Sequence, residues 1–438
     1  MISTDLTTVS SRPWLTRLGI ATLVGLILAG CASSSHTSAG SSTSSPSVGS
    51  AAPSASSTPT AAASSPSKST LIIGAVSDDT APTGNSQDFP RTLAAWQQWV
   101  NNHGGINGHP VKVIEKDAQS NPALGTTIVH TLVEQNHVIA LIDNTHTTSA
   151  WLPYIKTTPV PVICGAYSAN GGGPCTQNAD FFPAGTSELA IVYAQPYVAH
   201  LLGAKAFGSV QCSEVPACAE ALPLDKAGAE AIGMRFVYGV TASVSAPNFT
   251  AQCLGAKAAG ADSIFPVPGA VSGSTTFADD CAQQGYHPIW VMSAGTFNDS
   301  YLSDANYNDA IGAVGDFPWF MDTNPAQHEF RLAMGSHWPN FKGFLSPFTV
   351  AGTWAGAQLF AAAAAHIPDN PTPQDVTAGM YTLGSNVTLG GLTPPENFVS
   401  GQPTNNSCFY VVGIKNHQFV APYGNKTFCV SSTLHGVG

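Results

Sequence analysis

The sequence predicts an α/β fold of two lobes in succession, each wound around an open parallel sheet. Three observations lead there. From residue 70 onward, short β-rich runs alternate with helix-length segments, which is the pattern of parallel α/β units. The alternation falls into two series of the same architecture. At 438 residues the chain also exceeds what one hydrophobic core serves, so two lobes are expected once terminal extensions are set aside.

The run Leu71-Ile72-Ile73-Gly74-Ala75-Val76 reads as a buried first strand. A helix is expected over residues 90–102, with Pro90 at its start and Leu93, Trp96, Trp99 and Val100 on one face. The turn Gly104-Gly105-Ile106-Asn107-Gly108 stops it. A strand over 111–116, a helix over 122–134, a strand over 138–142, a short helix over 149–157 and the strand Pro161-Val162-Ile163-Cys164 complete the first series. The second series places helices at 187–202, 217–232, 248–259 and 275–284 and strands at 206–211, 234–240, 262–267 and 289–292. Open sheets of this kind bind ligands at the carboxyl ends of their strands. From near residue 310 the chain holds apolar helix-length segments at 350–366 and 373–383, then a hairpin, 409–414 and 419–421, around Lys415-Asn416-His417. A chain that returns to lobes already built crosses between them several times, and such crossings form a hinge.

Ahead of the body, Arg12 and Arg17 precede an apolar run over 18–28, short for a bilayer span and right for the core of an export signal. The run ends in Leu28-Ala29-Gly30-Cys31. That ending resembles the bacterial lipobox, which implies a signal peptide over residues 1–30, cleavage before Cys31 and lipidation of its thiol. Residues 31–69 then form a tether of Ser, Thr, Ala, Pro and Gly, a composition unable to bury enough apolar surface to offset chain entropy.

Nine cysteines less Cys31 leave an even number in a compartment where disulfides persist. Connectivity does not follow from sequence, but spacing favours local pairs: Cys164 with Cys175, Cys212 with Cys218, Cys253 with Cys281, Cys408 with Cys429. The rival, a zinc site, has no Cys-x-x-Cys and no paired histidines behind it, so no metal and no cofactor is expected. With 9% of residues charged and a formal net charge of −11, there is no basic stripe to track a phosphate backbone, and nucleic acid is not an expected partner.

The stretch from Trp99 through Asn101-Asn102-His103-Gly104-Gly105-Ile106-Asn107-Gly108-His109-Pro110 to Val113 is the most specific in the chain. Asp117 and Gln119-Ser120-Asn121-Pro122 follow it, and Pro247-Asn248-Phe249-Thr250, Gly285 and Lys415-Asn416-His417-Gln418-Phe419 come later. In this order, from about residue 71 to 430, the chain resembles the type I periplasmic binding proteins of the leucine/isoleucine/valine-binding class. The resemblance implies two Rossmann-like lobes with parallel central sheets joined by a multi-crossing hinge. Lobe 1 would take residues 70–186 and about 317–401, and lobe 2 residues 187–316 and about 402–438. It also implies the role of such proteins: an exported lipoprotein on the outer face of the cytoplasmic membrane, monomeric, closing on a small organic ligand and handing it to an ABC permease.

Residue by residue, the resemblance points to the loops that follow the strands. After the first strand these are Ser77, Asp79 and Thr83; after the third, Thr145, His146 and Thr147; after the fourth, Ala166, Tyr167 and Ser168. In amino-acid binders, hydroxyls and backbone N–H groups of the last two loops hold the ligand carboxylate, here Thr147, Ser168 and the backbone of Ala166; the plainer role of such hydroxyls is to cap the following helices. Lobe 2 offers Gln211, Pro268 and Phe297. It departs from the amino-acid pattern, because Ser293-Ala294-Gly295-Thr296-Phe297 has no acid to pair with an ammonium, and an uncompensated buried ion costs about several kcal/mol. Asp79 or Glu214 is the remaining candidate for that role. Aromatic residues Trp151, Tyr167, Phe297, Phe317 and Trp319 are expected around the cleft, which suits an apolar or aromatic carboxylate or an amide.

No Gly-x-Ser-x-Gly elbow, Walker loop or His-Glu-x-x-His occurs, so enzymatic activity is not expected. The alternative of a different class is a ligand-sensing lipoprotein of the same fold that signals through a partner. The chain ends in a short tail after the last hairpin, with no signalling domain, which favours transport.

Overall fold

The computed structural model describes residues 68–81, 86–165, 173–214, 216–266, 271–293, 296–338 and 347–430. Ser64–Gly438 form one compact unit. Its first sheet holds β1 (Leu71–Ser77), β2 (Val111–Asp117), β3 (Ala140–Asn144), β4 (Val162–Cys164) and β5 (Phe181–Pro183). They stand in the order β2-β1-β3-β4-β5 with every neighbouring pair parallel. Between them run α1 (Phe89–Asn102), α2 (Pro122–His130), α3 (Thr148–Ile155) and the short α4 (Pro174–Gln177).

The local chemistry accounts for these elements. In α1 Pro90 occupies the first turn, where its missing N–H costs nothing, and Phe89, Leu93 and Trp96 are buried. The turn behind it needs glycine: Gly105 has φ +76°, and a Cβ there would lie 2.1 Å from the His109 carbonyl oxygen. The Asn121 side chain accepts the N–H groups of Ala123 and Leu124 to start α2, which runs on through a π-helical turn, Thr131–Gln135.

The second sheet repeats the winding. Its strands β6 (Ala206–Cys212), β7 (Arg235–Ala242), β8 (Ser263–Phe265), β9 (Ile289–Ser293) and β10 (Ile311–Val314) take the order β7-β6-β8-β9-β10, again all parallel. The helices of this lobe are α5 (Glu188–Leu201), α6 (Pro216–Ala231), α7 (Thr250–Ala259) and α8 (Val271–Gln283). After β10 the chain returns to the first sheet: α9 (Pro325–His337) and α10 (Pro347–Ala363) pack on α1, α10 also meets β3 and β4, and α11 (Pro373–Leu383) packs on α10. A small ribbon follows, β11 (Ser385–Val387) with β12 (Glu396–Asn397). Finally β13 (Cys408–Lys415) joins the second sheet antiparallel to β10, with β14 (Gln418–Val420) and β15 (Phe428–Cys429) antiparallel to it.

Two α/β lobes thus stand as expected. Beyond that expectation lie β5, too short to signal itself, and β10 and α9. The Asn324 side chain caps α9 through the Gln327 N–H, with Pro325 in its first turn, a start signal that was present in the sequence.

The described chain passes between the sheets three times: from β5 to α5, from β10 to α9, and from β12 to β13. The passages are laced together. Thr186 N–H donates to the Gly315 carbonyl at 3.2 Å, Ser187 N–H to that of Asn406 at 3.4 Å and Phe317 N–H to that of Leu392 at 3.0 Å. The Thr186 hydroxyl donates to the Cys408 carbonyl.

Four disulfides form, Cys164–Cys175, Cys212–Cys218, Cys253–Cys281 and Cys408–Cys429. Each links neighbouring elements of one lobe, and none bridges the two sheets. Among the described residues no three His, Cys, Asp or Glu side chains converge on a metal position, and no helix is long and apolar enough to cross a membrane.

Candidate ligand-binding site

In both sheets the winding reverses next to the first strand: β2 lies on one side of β1 and β3 on the other, and β7 and β8 flank β6 in the same way. Loops leaving the carboxyl ends of such strand pairs part and open a crevice. In the first lobe the two loops carry Asp78 and Asp79 after β1 and Thr145, His146 and Thr147 after β3.

Asp78 ties these loops together. Its Oδ1 accepts the Ser120 N–H at 2.7 Å and the Thr145 hydroxyl at 2.9 Å; its Oδ2 accepts the His146 N–H at 2.8 Å and lies 3.1 Å from His146 Nδ1. Burial works to raise the Asp78 pKa, but these hydrogen bonds, the His146 ring's foremost, outweigh it and hold the carboxylate at about 2. An ionised carboxylate only accepts, so Thr145 gives Asp78 its single hydroxyl proton. The Thr147 hydroxyl, 3.0 Å away, therefore donates to Thr145, and it packs against Gly125 of α2. Beneath them, Asp143 accepts the Thr145 N–H at 3.1 Å and the Thr148 hydroxyl at 2.6 Å, while full burial pushes its pKa up to about 8.

Asp79 turns the other way, toward β2. Burial, then the charge of Glu115, push its pKa up to about 8, and burial raises Glu115 as well, so this carboxyl pair is held partly neutral. Ser77 belongs to the same group, its hydroxyl donating to Glu115 Oε1 at 2.8 Å. Ser77 and Asp79 thus sit together with Glu115 of β2, while Asp78 between them is held by the β3 loop and by Ser120 after β2. Of the candidates in the β1 and β3 loops, Thr145, His146 and Thr147 come together; Ser77 and Asp79 do not join them. His146 is the exposed member of its loop, with its side chain 34% accessible. Asp78, absent from the sequence candidates, is the residue that organises them.

In the second lobe, Gln211 Nε2 donates to Ser209 Oγ at 3.0 Å and to Asp225 Oδ2 at 2.8 Å, and the Ser209 hydroxyl donates to the same oxygen at 2.6 Å. Burial pushes Asp225 up to about 7. Glu214 is exposed and closes its own loop, accepting from Ser213 N–H, the Ser243 hydroxyl and Val244 N–H at 2.7 to 3.0 Å. Burial works to raise its pKa, but these bonds together outweigh it and lower it.

The expected aromatic surround is corrected by the packing. Trp151 is fully buried and stacks on Phe181. Phe317 meets Phe330 at 5.0 Å. Phe297, buried, packs between Trp319 and Phe419, each 6.0 Å away. Large rings on strand-end segments are drawn into the lobe interiors because each buries 150–250 Å² there, so Trp151, Phe317, Trp319 and Phe297 are core residues of their lobes. Thr83, Ala166, Tyr167, Ser168 and Pro268, like Cys31, lie outside the described residues.

A cavity of about 670 Å³ is lined by Val160, Phe181, Lys156 and Tyr381 among others. It opens at the amino-terminal ends of β4 and β5, the end of the sheet opposite to the one where such folds take ligands.

Two sheets of one winding, joined through a three-passage hinge and carrying their strand-end loops at the switch points, define the class: a two-lobed type I binding fold. The chain belongs to the periplasmic binding protein family, whose model matches residues 70–418. It is accordingly a solute-binding protein and not an enzyme. Among solved structures it is similar to the branched-chain amino acid transporter substrate binding protein LivJ from Streptococcus pneumoniae in complex with isoleucine (18% identity, TM-score 0.65, 82% of this chain and 99% of that one). It is similar to an ABC transporter solute binding protein from R. palustris in complex with benzoate (14%, 0.64, 83% and 98%). The third is a fatty acid ABC transporter substrate-binding protein from Thermomonospora curvata (16%, 0.64, 83% and 93%). At these identities the likeness shows the fold. No curated protein matches.

Proposed function

We propose that the chain is the exported solute-binding component of an ABC importer, taking a small organic ligand with an apolar or aromatic body and a carboxylate or amide head between its lobes. The observation that carries the ligand class is how the acids near the strand ends are engaged. Asp78 is engaged by His146 and Thr145 and Glu214 by Ser243 and Val244, while Asp79 stands beside Glu115 on the β2 side, apart from the His146 loop. A ligand ammonium beside the His146 loop or the Glu214 loop would have to break the hydrogen bonds of Asp78 or Glu214 to find a counter-ion, whereas neutral donors suit a carboxylate or amide. The candidate contacts are the His146 edge and the loops that carry Thr83, Ala166, Tyr167, Ser168 and Pro268. Neighbours of this fold named for isoleucine, benzoate and fatty acid span both ligand classes, so they frame the choice.

In this reading residues 1–30 direct export, Cys31 carries the lipid, and residues 31–69 space the body from the membrane. Lobe 1 comprises 70–186 and 317–401, and lobe 2 the remainder of the body.

The test is a thermal-shift screen of residues 64–438 against aromatic carboxylates, amides, short fatty acids and amino acids, followed by uptake assays in a deletion strain. Aromatic or aliphatic carboxylates should give the largest shifts, and uptake of the best ligand should fall on deletion. Largest shifts from leucine-like ligands would overturn the ligand class. Normal uptake with a lost transcriptional response would replace the importer with the sensor.

A further inference from the structure

The three passages between the lobes enclose two carboxyl groups that the binding site does not use. Asp316 follows β10 and Glu396 starts β12, and each is at most 2% exposed. Both surround Gly185 in the β5–α5 passage. Its N–H donates to Glu396 Oε1 at 2.6 Å, and with φ +100° a Cβ on it would fall 2.4 Å from Asp316 Oδ1. Asp316 Oδ1 has no hydrogen-bond partner among the described residues, and Glu396 Oε2 is faced only by the Asn406 amide, without a hydrogen bond of ordinary geometry. The titratable groups that face the pair are the two carboxyls themselves and the Tyr410 phenol on β13, which donates to the Gly391 carbonyl at 3.2 Å. No described Lys, Arg or His pairs with either acid.

A carboxylate sealed from water without a cation does not stay ionised; it takes up a proton instead. Burial raises Asp316 well above the usual range, and it does the same for Glu396, outweighing the Gly185 N–H and the Asn406 amide with some help from the charge of Asp316. We infer that Asp316 and Glu396 form a proton-operated catch in the hinge: protonated, they allow the three passages to pack as they do here, and release of a proton to solvent favours an arrangement in which water reaches Asp316. The catch lies at the passages and not at the strand-end loops, so it acts on lobe movement whatever the ligand proves to be.

The test uses ligand-free protein, residues 64–438, with small-angle X-ray scattering and thermal unfolding from pH 5 to 9 on the parent, Asp316→Asn and Glu396→Gln. The parent's radius of gyration should change with pH. Asp316→Asn should lose that change and hold the low-pH value throughout, with Glu396→Gln shifting or flattening the transition. Should Asp316→Asn fail to fold, Glu396→Gln alone decides. A parent radius independent of pH, or variants that follow the parent across the range, would overturn the catch. So would a transition that follows added Ca²⁺, Na⁺ or K⁺ at fixed pH, which would make the pair a cation site.

Discussion

At the scale of single residues, Asp78 is the position on which most of the first lobe's loop geometry depends. Replacing it by Asn keeps the shape but removes the charge that orders Ser120, Thr145 and His146. Asp78→Asn is expected to lower the unfolding free energy at pH 7 by about 1–3 kcal/mol, the usual range for a buried charged hydrogen-bonding group, and to weaken binding of whatever ligand the screen identifies. The sign with pH is set by a folded pKa of about 2, below the ordinary 3.8. The contribution is complete above pH 4 and is lost as pH falls through 2, so urea denaturation at pH 7 and pH 2.5 should show the gap between variant and parent closing. The sequence placed the acid pair at the right strand end but pointed to Asp79. Only the β3 loop distinguishes the two, because each side chain's neighbour comes from a different strand.

At the scale of elements, close approaches decide. Helices α10 and α11 pack tightly enough that a Cβ on Gly379 would lie 2.0 Å from the Ala363 carbonyl oxygen. Gly379→Ala should cost about 1–3 kcal/mol by overpacking, read as a lower guanidinium midpoint with little change in slope. The bridge Cys253–Cys281 ties α7 to α8 across a sequence separation of 28. Its removal by paired alanines should cost about 2–4 kcal/mol without altering ligand selectivity, since it lies within one lobe and away from the strand ends; calorimetry and the ligand screen check both parts. The cysteine pairs were legible because each spans a short stretch of chain. The aromatic residues were not: Trp151, Phe297 and Trp319 occupy loop-flanking positions in sequence, and only the packing of α4, β5 and β14 against them shows that they are interior.

At the scale of the whole molecule, buried acids set the response to pH. Asp143 and Asp225 have folded pKa values raised to about 8 and about 7, against 3.8 for the ordinary group. The folded state therefore holds protons that the unfolded state has released, and stability falls as pH climbs from about 4 through 8. Unfolding temperatures should decline between pH 5 and pH 8, and Asp225→Asn should flatten that decline below about pH 7, leaving the part nearer pH 8 to Asp143. A melting temperature constant across this range would show that these acids are hydrated in the folded protein.

The double α/β series, the local cysteine pairs and the glycine turn before β2 were all readable from sequence, because each rests on periodicity, spacing or conformational need within a few residues. Tertiary structure alone decided which of two adjacent aspartates faces the β3 loop, that the large aromatics fill the lobe interiors, and that Gly185, Asp316 and Glu396 meet in the hinge. Those outcomes turn on burial and on partners supplied by segments far apart in the chain, and the free energy of a charge or a ring depends on the neighbours that exclude water from it.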